Sequence, residues 1–386
     1  MPPGAPAVNF IASFSANMGQ AVAARSWLQG LLEAGIEVHA IDVPDPSGRS
    51  GHDVRFSSLA RPLDARAPHG VNFIAMNPPC LARLQREGPP WLELAGRVNV
   101  MLPFWELPRL PRDWKAGLAP VNVVLASSGW IAEAFHRDGG VTEVEVLPLP
   151  LRLDAPRAGA RARWGIPEDA FLLVASFELA SDVARKNPWA VLEAFARAFP
   201  RDRDVRLVLK LNNSTLQPEL AAPRRRLWAA ASDPRIRIVE ETLSYAEVLG
   251  LYAAADAYVS LHRAEGVGLG LLEAMALGTP VVATAWSGSL DYTSEANALL
   301  VPFELVPVRA ETQRAYASDR IARGARWAEP DVGAAAACLR RLRAEPELGR
   351  RLGARAARDV APRGSALELD ALWEAVARCR RAIGAS

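Results

Sequence analysis

Two carboxylates eight residues apart, Glu265 and Glu273, stand in the densest run of chemistry-bearing residues in the chain, SLHRAEGVGLGLLEAMALGTPVVAT, with Gly266, Gly268 and Gly270 between them. Strand, glycine turn and helix follow in the order of an anion cradle. Glycine lets the backbone approach a ligand without a Cβ, and the N–H groups of a starting helix meet a diphosphate at the favourable end of the dipole. Glu273 falls within the second helical turn, where a carboxylate accepts hydrogen bonds from neighbouring hydroxyls such as a ribose diol. His262 is the one histidine beside the turn. It reads either as a partner of sugar or phosphate or as a satisfied histidine at a strand end.

Two other chemistries compete for this segment. Gly266-Val267-Gly268 begins a dinucleotide fingerprint, but the third glycine belongs at position 271, which is leucine. A glycosidase pair is the second rival. Eight residues along a helix separate two carboxylates by about 12 Å, whereas retaining glycosidases need roughly 5–5.5 Å.

A basic pair, Arg185-Lys186, lies in FELASDVARKNPWAVLEAFARAF and sits at a predicted helix start, where positive charge opposes the dipole and invites an anion. Only Lys115, Lys186 and Lys210 are lysine among 45 basic residues. Arginine is thus this chain's default cation, and a retained lysine marks a place that favours a compact ammonium on a flexible stem. Lys210 ends the strand LVLK and is a further candidate for phosphate. Asp202-Arg203-Asp204 imitates a D-x-D metal motif, but it precedes its strand and so reads as a solvated turn away from the site; no metal is expected in catalysis.

These side chains must be positioned by something, and the pattern around them is regular. Short β-branched runs alternate with amphipathic helix-length stretches: Val8–Ala12, a helix near Gln20–Ala34, Val38–Val43, Val71–Met76, Val98–Leu102, Val121–Ala126 and Val144–Leu147. That rhythm belongs to a parallel sheet covered by helices on both faces. It breaks in the Pro- and Arg-rich stretch near 150–165 and restarts with Phe171–Phe177, Val205–Leu211, Arg235–Glu240, Ala257–His262, Pro280–Thr284 and Ala298–Pro302. The reading is α/β: two Rossmann-like doubly wound domains, residues 1–155 and 156–362, facing a cleft, and a C-terminal helix in 363–386 that crosses back onto the first domain. Ligands of such sheets bind beyond the carboxyl ends of the strands.

Length and composition agree. At 386 residues and 50% hydrophobic content the chain supports more than one core. Lys+Arg 45 against Asp+Glu 43 leaves a net charge of +2, so no bulk field draws it to nucleic acid or an anionic membrane. Three scattered cysteines, Cys80, Cys338 and Cys379, fit a reducing compartment and no zinc site. No run approaches the eighteen apolar residues of a membrane span.

The E-x7-E pair with its glycines, running into EAMALGTPVVAT, resembles the signature of glycosyltransferase family 4, the group 1 retaining enzymes of GT-B fold. The resemblance implies that Glu273 binds the nucleotide ribose. It implies further that Glu265 and the turn Gly266, Val267, Gly268, Leu269 and Gly270 hold donor sugar and phosphate, with amides of Leu269 and Gly270 on the phosphate. The Arg185-Lys186 block resembles the family's first loop of the donor domain, which gives a basic pair to the diphosphate; Ser181 belongs to the same loop. In the first domain, SANMGQAVAAR resembles the family's glycine loop, with Gly19 near the donor phosphate or acceptor. VNVMLPFWELPRLPRDW resembles segments of polysaccharide-assembly members and makes Glu106 an acceptor-side candidate. Histidines 39, 52, 69 and 136 carry no motif that marks one as the family's acceptor-domain histidine.

The function so implied is retaining, metal-independent transfer of a hexose from a UDP- or GDP-linked sugar to a hydroxyl of a glycan or glycolipid acceptor, in cell-surface polysaccharide synthesis. The nucleoside diphosphate sugar is a co-substrate, with no cofactor. The base is expected around Glu240–Leu243. The protein is expected in the cytoplasm, with at most peripheral contact at the inner face of the membrane. Two other readings stay open: a non-catalytic sugar-nucleotide-binding scaffold, and a phosphorylase or epimerase of the same architecture.

Overall fold

The computed structural model describes residues 7–45, 48, 51, 53, 55–59, 67–215, 217–311, 316, 321 and 324–384. The chain forms two compact units, one built mainly from Met1–Arg152 and Arg363–Ser386, the other from Leu153–Ser318 and Arg323–Pro362.

The first unit runs β1 (Val8–Ala12), α1 (Gly19–Glu33), β2 (Val38–Asp42), β3 (Val71–Ala75), α2 (Pro78–Glu87), β4 (Val98–Met101), α3 (Lys115–Leu118), β5 (Val123–Ala126), α4 (Gly129–Asp138) and β6 (Glu143–Val146). Its six strands are parallel in the order β2-β1-β3-β4-β5-β6. Every residue of β1, β3, β4 and β5 is buried, as a parallel sheet covered on both faces requires. Buried asparagines cross three of those strands: Asn9 Nδ2 donates to Asn72 Oδ1 at 2.8 Å, and Asn72 Nδ2 to Asn99 Oδ1 at 2.7 Å. A slip of one residue in register would break this ladder.

The second unit repeats the plan with α5 (Ala160–Arg163), β7 (Phe171–Glu178), α6 (Val183–Lys186), α7 (Pro188–Ala198), β8 (Val205–Asn212), α8 (Ala221–Ala230), β9 (Ile236–Val239), α9 (Tyr245–Ala253), β10 (Ala257–Ser260), α10 (Leu269–Ala276), β11 (Val281–Thr284) and β12 (Leu299–Val301). The parallel order is β12-β11-β10-β7-β8-β9. Strand order therefore reverses between β7 and β10. The loops after these two strands leave in opposite senses, which opens the crevice where ligands of doubly wound sheets bind.

An antiparallel hairpin follows, β13 (Phe303–Pro307) with β14 (Arg326–Pro330). The sequence reading did not separate it from the second domain's tail. Helices α11 (Val332–Ala344) and α12 (Pro346–Val360) close the unit, with Pro346 at the start of the latter. Gly353 is required there, because a Cβ would lie 1.9 Å from the carbonyl of Gly278. The last helix, α13 (Asp370–Gly384), returns to the first unit and packs on β4, β5 and β6, with the Trp373 ring 6.0 Å from that of Phe73. The Pro- and Arg-rich stretch near 150–165 holds α5 and is stitched to α9 by Arg157 N donating to Ala246 O.

Candidate functional site

The loops after β7 and β10 bring the sequence candidates of the second unit together. After β10 the chain turns through His262–Gly268 and enters α10, whose cap, Gly268, has φ 81° and no capping side chain. First-turn N–H groups of Leu269 and Gly270 are therefore left for a ligand. Tyr292 braces the turn, its hydroxyl 2.6 Å from Val267 O and 2.9 Å from Gly268 O. Gly270 has its own reason to be glycine: a Cβ would sit 2.2 Å from the Tyr258 hydroxyl below it.

Glu265 meets both members of the basic pair. Lys186 Nζ lies 2.5 Å from Oε1 and Arg185 Nη1 3.2 Å from Oε2. Burial alone would raise the carboxyl's pKa, but the charges of Lys186 and Arg185, with His262, outweigh it and hold Glu265 at about 2. The two cations are not equivalent. Arg185 is 2% exposed, donates to Ala264 O at 2.8 Å and Ser181 O at 3.1 Å, and lies over the Tyr316 ring. Lys186 keeps a side chain that is 20% exposed. The guanidinium is turned onto the backbone and Glu265, and Lys186 is the more exposed cation of the cluster. Ser181 takes part through its carbonyl.

Backbone strain is concentrated here. Among the described residues four non-glycines have positive φ, namely Asp182 (71°), Asn187 (51°), Asn213 (53°) and Ser287 (69°), and all lie in loops after β7, β8 and β11. Such strain persists where surroundings over-determine it, and it gathers at functional sites. Asp182 caps α6 by accepting from Arg185 N at 3.0 Å and also accepts from Glu311 N at 3.0 Å. Asn187 caps α7. Ser287 Oγ accepts from Glu265 N at 2.8 Å, and Gly288 N donates to Glu265 O at 2.9 Å. Asp182 and Ser287 escaped the sequence reading; their signal, a polar residue in a left-handed conformation, is one that no spacing pattern encodes.

Glu273 is buried and its Oε1 accepts from the Tyr245 hydroxyl at 2.9 Å. Burial pushes its carboxyl up to about 7 against the lowering effect of that bond. Beside it Ser176 Oγ meets the hydroxyls of Tyr252 at 2.5 Å and Tyr258 at 2.9 Å.

Other residues singled out in the sequence have their polar atoms engaged within the protein. His262 is fully buried, with Nε2 on Trp286 O at 3.2 Å and Nδ1 on Ser260 Oγ at 3.0 Å. A carbonyl at Nε2 fixes the proton there, and burial lowers the pKa, so the ring is a neutral strut between two turns. Lys210 is 1% exposed and donates to Leu211 O at 2.7 Å and Asn212 Oδ1 at 2.6 Å; burial lowers it to about 8 against the pull of Glu241 and Glu240. Its ammonium is engaged at its own strand end. Asp202 and Asp204 are not merely solvated, since both bind Arg343 of α11. Glu240, expected near the base, is held by Arg224 at 2.6 Å.

Gly19 and Glu106 belong to the first unit. Gly19 opens α1 and is exposed. Glu106 is half-buried after β4, in a loop pinned by Trp130 Nε1 donating to its carbonyl at 2.9 Å and by Phe104 N donating to Asn77 Oδ1 at 2.8 Å. His39, His69 and His136 stand in this unit too, while His52 lies outside the described residues. Among the described residues no group of three or more His, Cys, Asp or Glu side chains is arranged to hold a metal, and no helix is long and apolar enough to cross a membrane.

Residues 171–312 match the family model described as glycosyl transferases group 1. A curated relative, D-inositol 3-phosphate glycosyltransferase 1 of Catenulispora acidiphila, is 38% identical over 147 residues, which are 36% of this chain and 34% of the relative. The match thus spans about a third of that protein's length. Sucrose-phosphate synthase from Thermosynechococcus elongatus superposes with a TM-score of 0.63 at 19% identity, covering 98% of this chain and 99% of that one. HepE of Anabaena, solved with UDP and glucose, does so with a TM-score of 0.61 at 13% identity, covering 99% and 100%. At these identities the structures speak for the fold: two six-stranded parallel sheets with flanking helices, the GT-B arrangement. Within that fold, the segment that carries Arg185, Lys186, Glu265 and Glu273 is a group 1 glycosyl transferase domain.

Proposed function

We propose that the protein is a glycosyltransferase that moves a hexose from a UDP- or GDP-linked sugar to a hydroxyl of a glycan or glycolipid, with retention at the anomeric carbon and without a metal, in cell-surface polysaccharide synthesis. The observation that carries this reading is Glu265 clamped by Lys186 and Arg185 at the turn that opens α10, with Glu273 further along the same helix. Its relatives support it: D-inositol 3-phosphate glycosyltransferase 1 of Catenulispora acidiphila, and the HepE structure with UDP and glucose.

In this reading the second unit holds the donor, with the ribose on Glu273 and the diphosphate on the α10 amides. As the bond between the anomeric carbon and the diphosphate oxygen breaks, negative charge grows on the leaving group. Lys186 and the preorganised N–H groups stabilise it where a metal would otherwise stand. Glu265, ionised over the whole working pH range, accepts from a sugar hydroxyl and offsets positive charge growing on the ring. The acceptor oxygen bonds to the anomeric carbon, and its proton leaves with the diphosphate. Gly19 and Glu106 are assigned to the acceptor-side unit, and the protein to the cytoplasm or the inner membrane face.

The test is release of nucleoside diphosphate from UDP- and GDP-hexoses by the full chain, with and without glycan acceptors and with and without EDTA, followed by the anomeric configuration of the product. Acceptor-dependent release insensitive to EDTA supports the reading. Tight donor binding without release under any combination supports the scaffold instead.

A further inference from the structure

We propose that Tyr245 is the positioning residue for Glu273: its hydroxyl, donated to Oε1, holds the carboxylate in the orientation in which its other oxygen receives the ribose hydroxyls of a nucleoside diphosphate. This inference rests on the donor-site reading above and deepens it.

Three tyrosine hydroxyls crowd this corner of the second unit, and their geometry separates them. Those of Tyr252 and Tyr258 are taken up by Ser176 Oγ, at 2.5 and 2.9 Å. Tyr258 is further confined beneath Gly270, where a Cβ would lie 2.2 Å from its oxygen. Tyr245 alone turns to Glu273, at 2.9 Å, and among the described residues it is the one side chain that hydrogen-bonds that carboxylate. It stands at the first position of α9, whose start is fixed by a capping box: Ser244 Oγ accepts from Glu247 N, and Glu247 Oε2 accepts from Ser244 N at 2.9 Å. The phenol is therefore held at a rigid helix end and not on a mobile loop.

A buried carboxylate with one donor is poorly solvated, and its remaining lone pairs are what a diol can use. Burial raises Glu273 to about 7, and the bond from Tyr245 works against that rise. The titratable groups that face it are Tyr245 and Tyr252 from α9 and Tyr258 from β10, with Asp154 acting on Tyr245. All three phenols are pushed upward, mainly by burial, and stay neutral below pH 9. Glu273 is thus the group of this corner that titrates in the neutral range, and ligand hydroxyls bind its ionised form.

The experiment is isothermal titration of UDP and of GDP into the full-length wild type, Tyr245→Phe, Tyr252→Phe and Glu273→Gln from pH 5.5 to 9. Wild-type affinity is expected to rise as pH passes about 7 and to level above it. Tyr245→Phe removes the donor, so the rise moves to higher pH and affinity at pH 7 drops about tenfold, the low end for a hydrogen bond to a charged group. Tyr252→Phe, which deletes a hydroxyl committed to Ser176, keeps the wild-type midpoint, and Glu273→Gln loses the inflection at about 7 and keeps only the rise due to the nucleotide's own terminal phosphate, which ionises at about 6. A Tyr245→Phe protein that keeps the wild-type midpoint, or is weakened equally at every pH, overturns the inference alone. A wild type that binds neither nucleotide at any pH defeats the donor-site reading as well.

Discussion

Lys186 and Arg185 touch the same carboxylate yet stand in different surroundings, and substitution should separate their roles. Arg185→Ala leaves Glu265 paired with Lys186 but strands the buried carbonyls of Ala264 and Ser181, so it is expected to destabilise the second unit by about 1–3 kcal/mol for each group left unsatisfied. Lys186→Ala leaves the fold nearly intact, because Arg185 still neutralises Glu265, and lowers kcat for diphosphate release by about 10²–10³. Melting curves beside single-turnover assays distinguish the two losses; a Lys186→Ala enzyme with full turnover would sink the assignment. The two glutamates also oppose one another in pH dependence. Glu265 has a folded-state pKa lowered from 4.5 to about 2, so its contribution is complete above pH 4.5 and fades as pH falls towards 2. Glu273 is raised from 4.5 to about 7, so the folded state holds a proton that the unfolded state has released, and stability declines as pH rises between those values. Glu273→Gln should therefore match the wild type near pH 4.5 and exceed it at pH 8 by roughly 2–3 kcal/mol in urea denaturation. Equal stabilities at pH 8 would show that the carboxyl is not strained by burial.

At the scale of elements, the sequence was most legible where periodicity and punctuation coincide. β10, the glycine turn and α10 could be read because an apolar run ends in three spaced glycines and a helix-forming stretch follows. Strand ends come out within about two residues for the same reason. The hairpin β13–β14 was not legible: the partners FELVP and RWAEP are eighteen residues apart, so no short turn signals their pairing. What it does for the site was equally hidden. Arg263, next to the Glu265 turn, binds Glu329 of β14 at 2.7 Å, so the hairpin buttresses the loop from a distance no local pattern reports. Nor does composition reveal which tyrosine of α9 faces Glu273, or that His262 and Lys210 turn their polar atoms inward. Close backbone approach is similarly invisible. Gly288 follows β11 with no motif, yet a Cβ there would lie 1.8 Å from the carbonyl of Gly266. Gly288→Ala must push the turn away from its place above Glu265, where Gly288 N now binds. A loss of about 1–3 kcal/mol with a larger fall in nucleotide affinity is the expected result; thermal melting and titration with UDP and GDP measure the two separately. Unchanged affinity would mean that the Glu265 turn tolerates the displacement.

At the scale of the whole chain, each unit has its own six-stranded sheet and its own buried core, and the chain enters the second unit after Arg152 and leaves it before Arg363. Two cores of this kind need not melt together. The Asn9–Asn72–Asn99 ladder offers a perturbation confined to the first, since Asn72→Ala leaves an Asn9 donor and an Asn99 acceptor without their partners among the buried central strands β1, β3 and β4. The carbonyl of Glu93 loses its Asn72 donor as well, and each buried group left unsatisfied costs about 1–3 kcal/mol. A nucleotide at a hundred times its Kd acts on the unit that binds it, by about 2.7 kcal/mol. Differential scanning calorimetry of the full chain should then resolve two transitions: Asn72→Ala lowers one of them, UDP or GDP raises the other, and the variant retains wild-type nucleotide affinity. If Asn72→Ala and the nucleotide move the same transition, the units unfold as one, and donor binding in the second unit is coupled to the packing of the first.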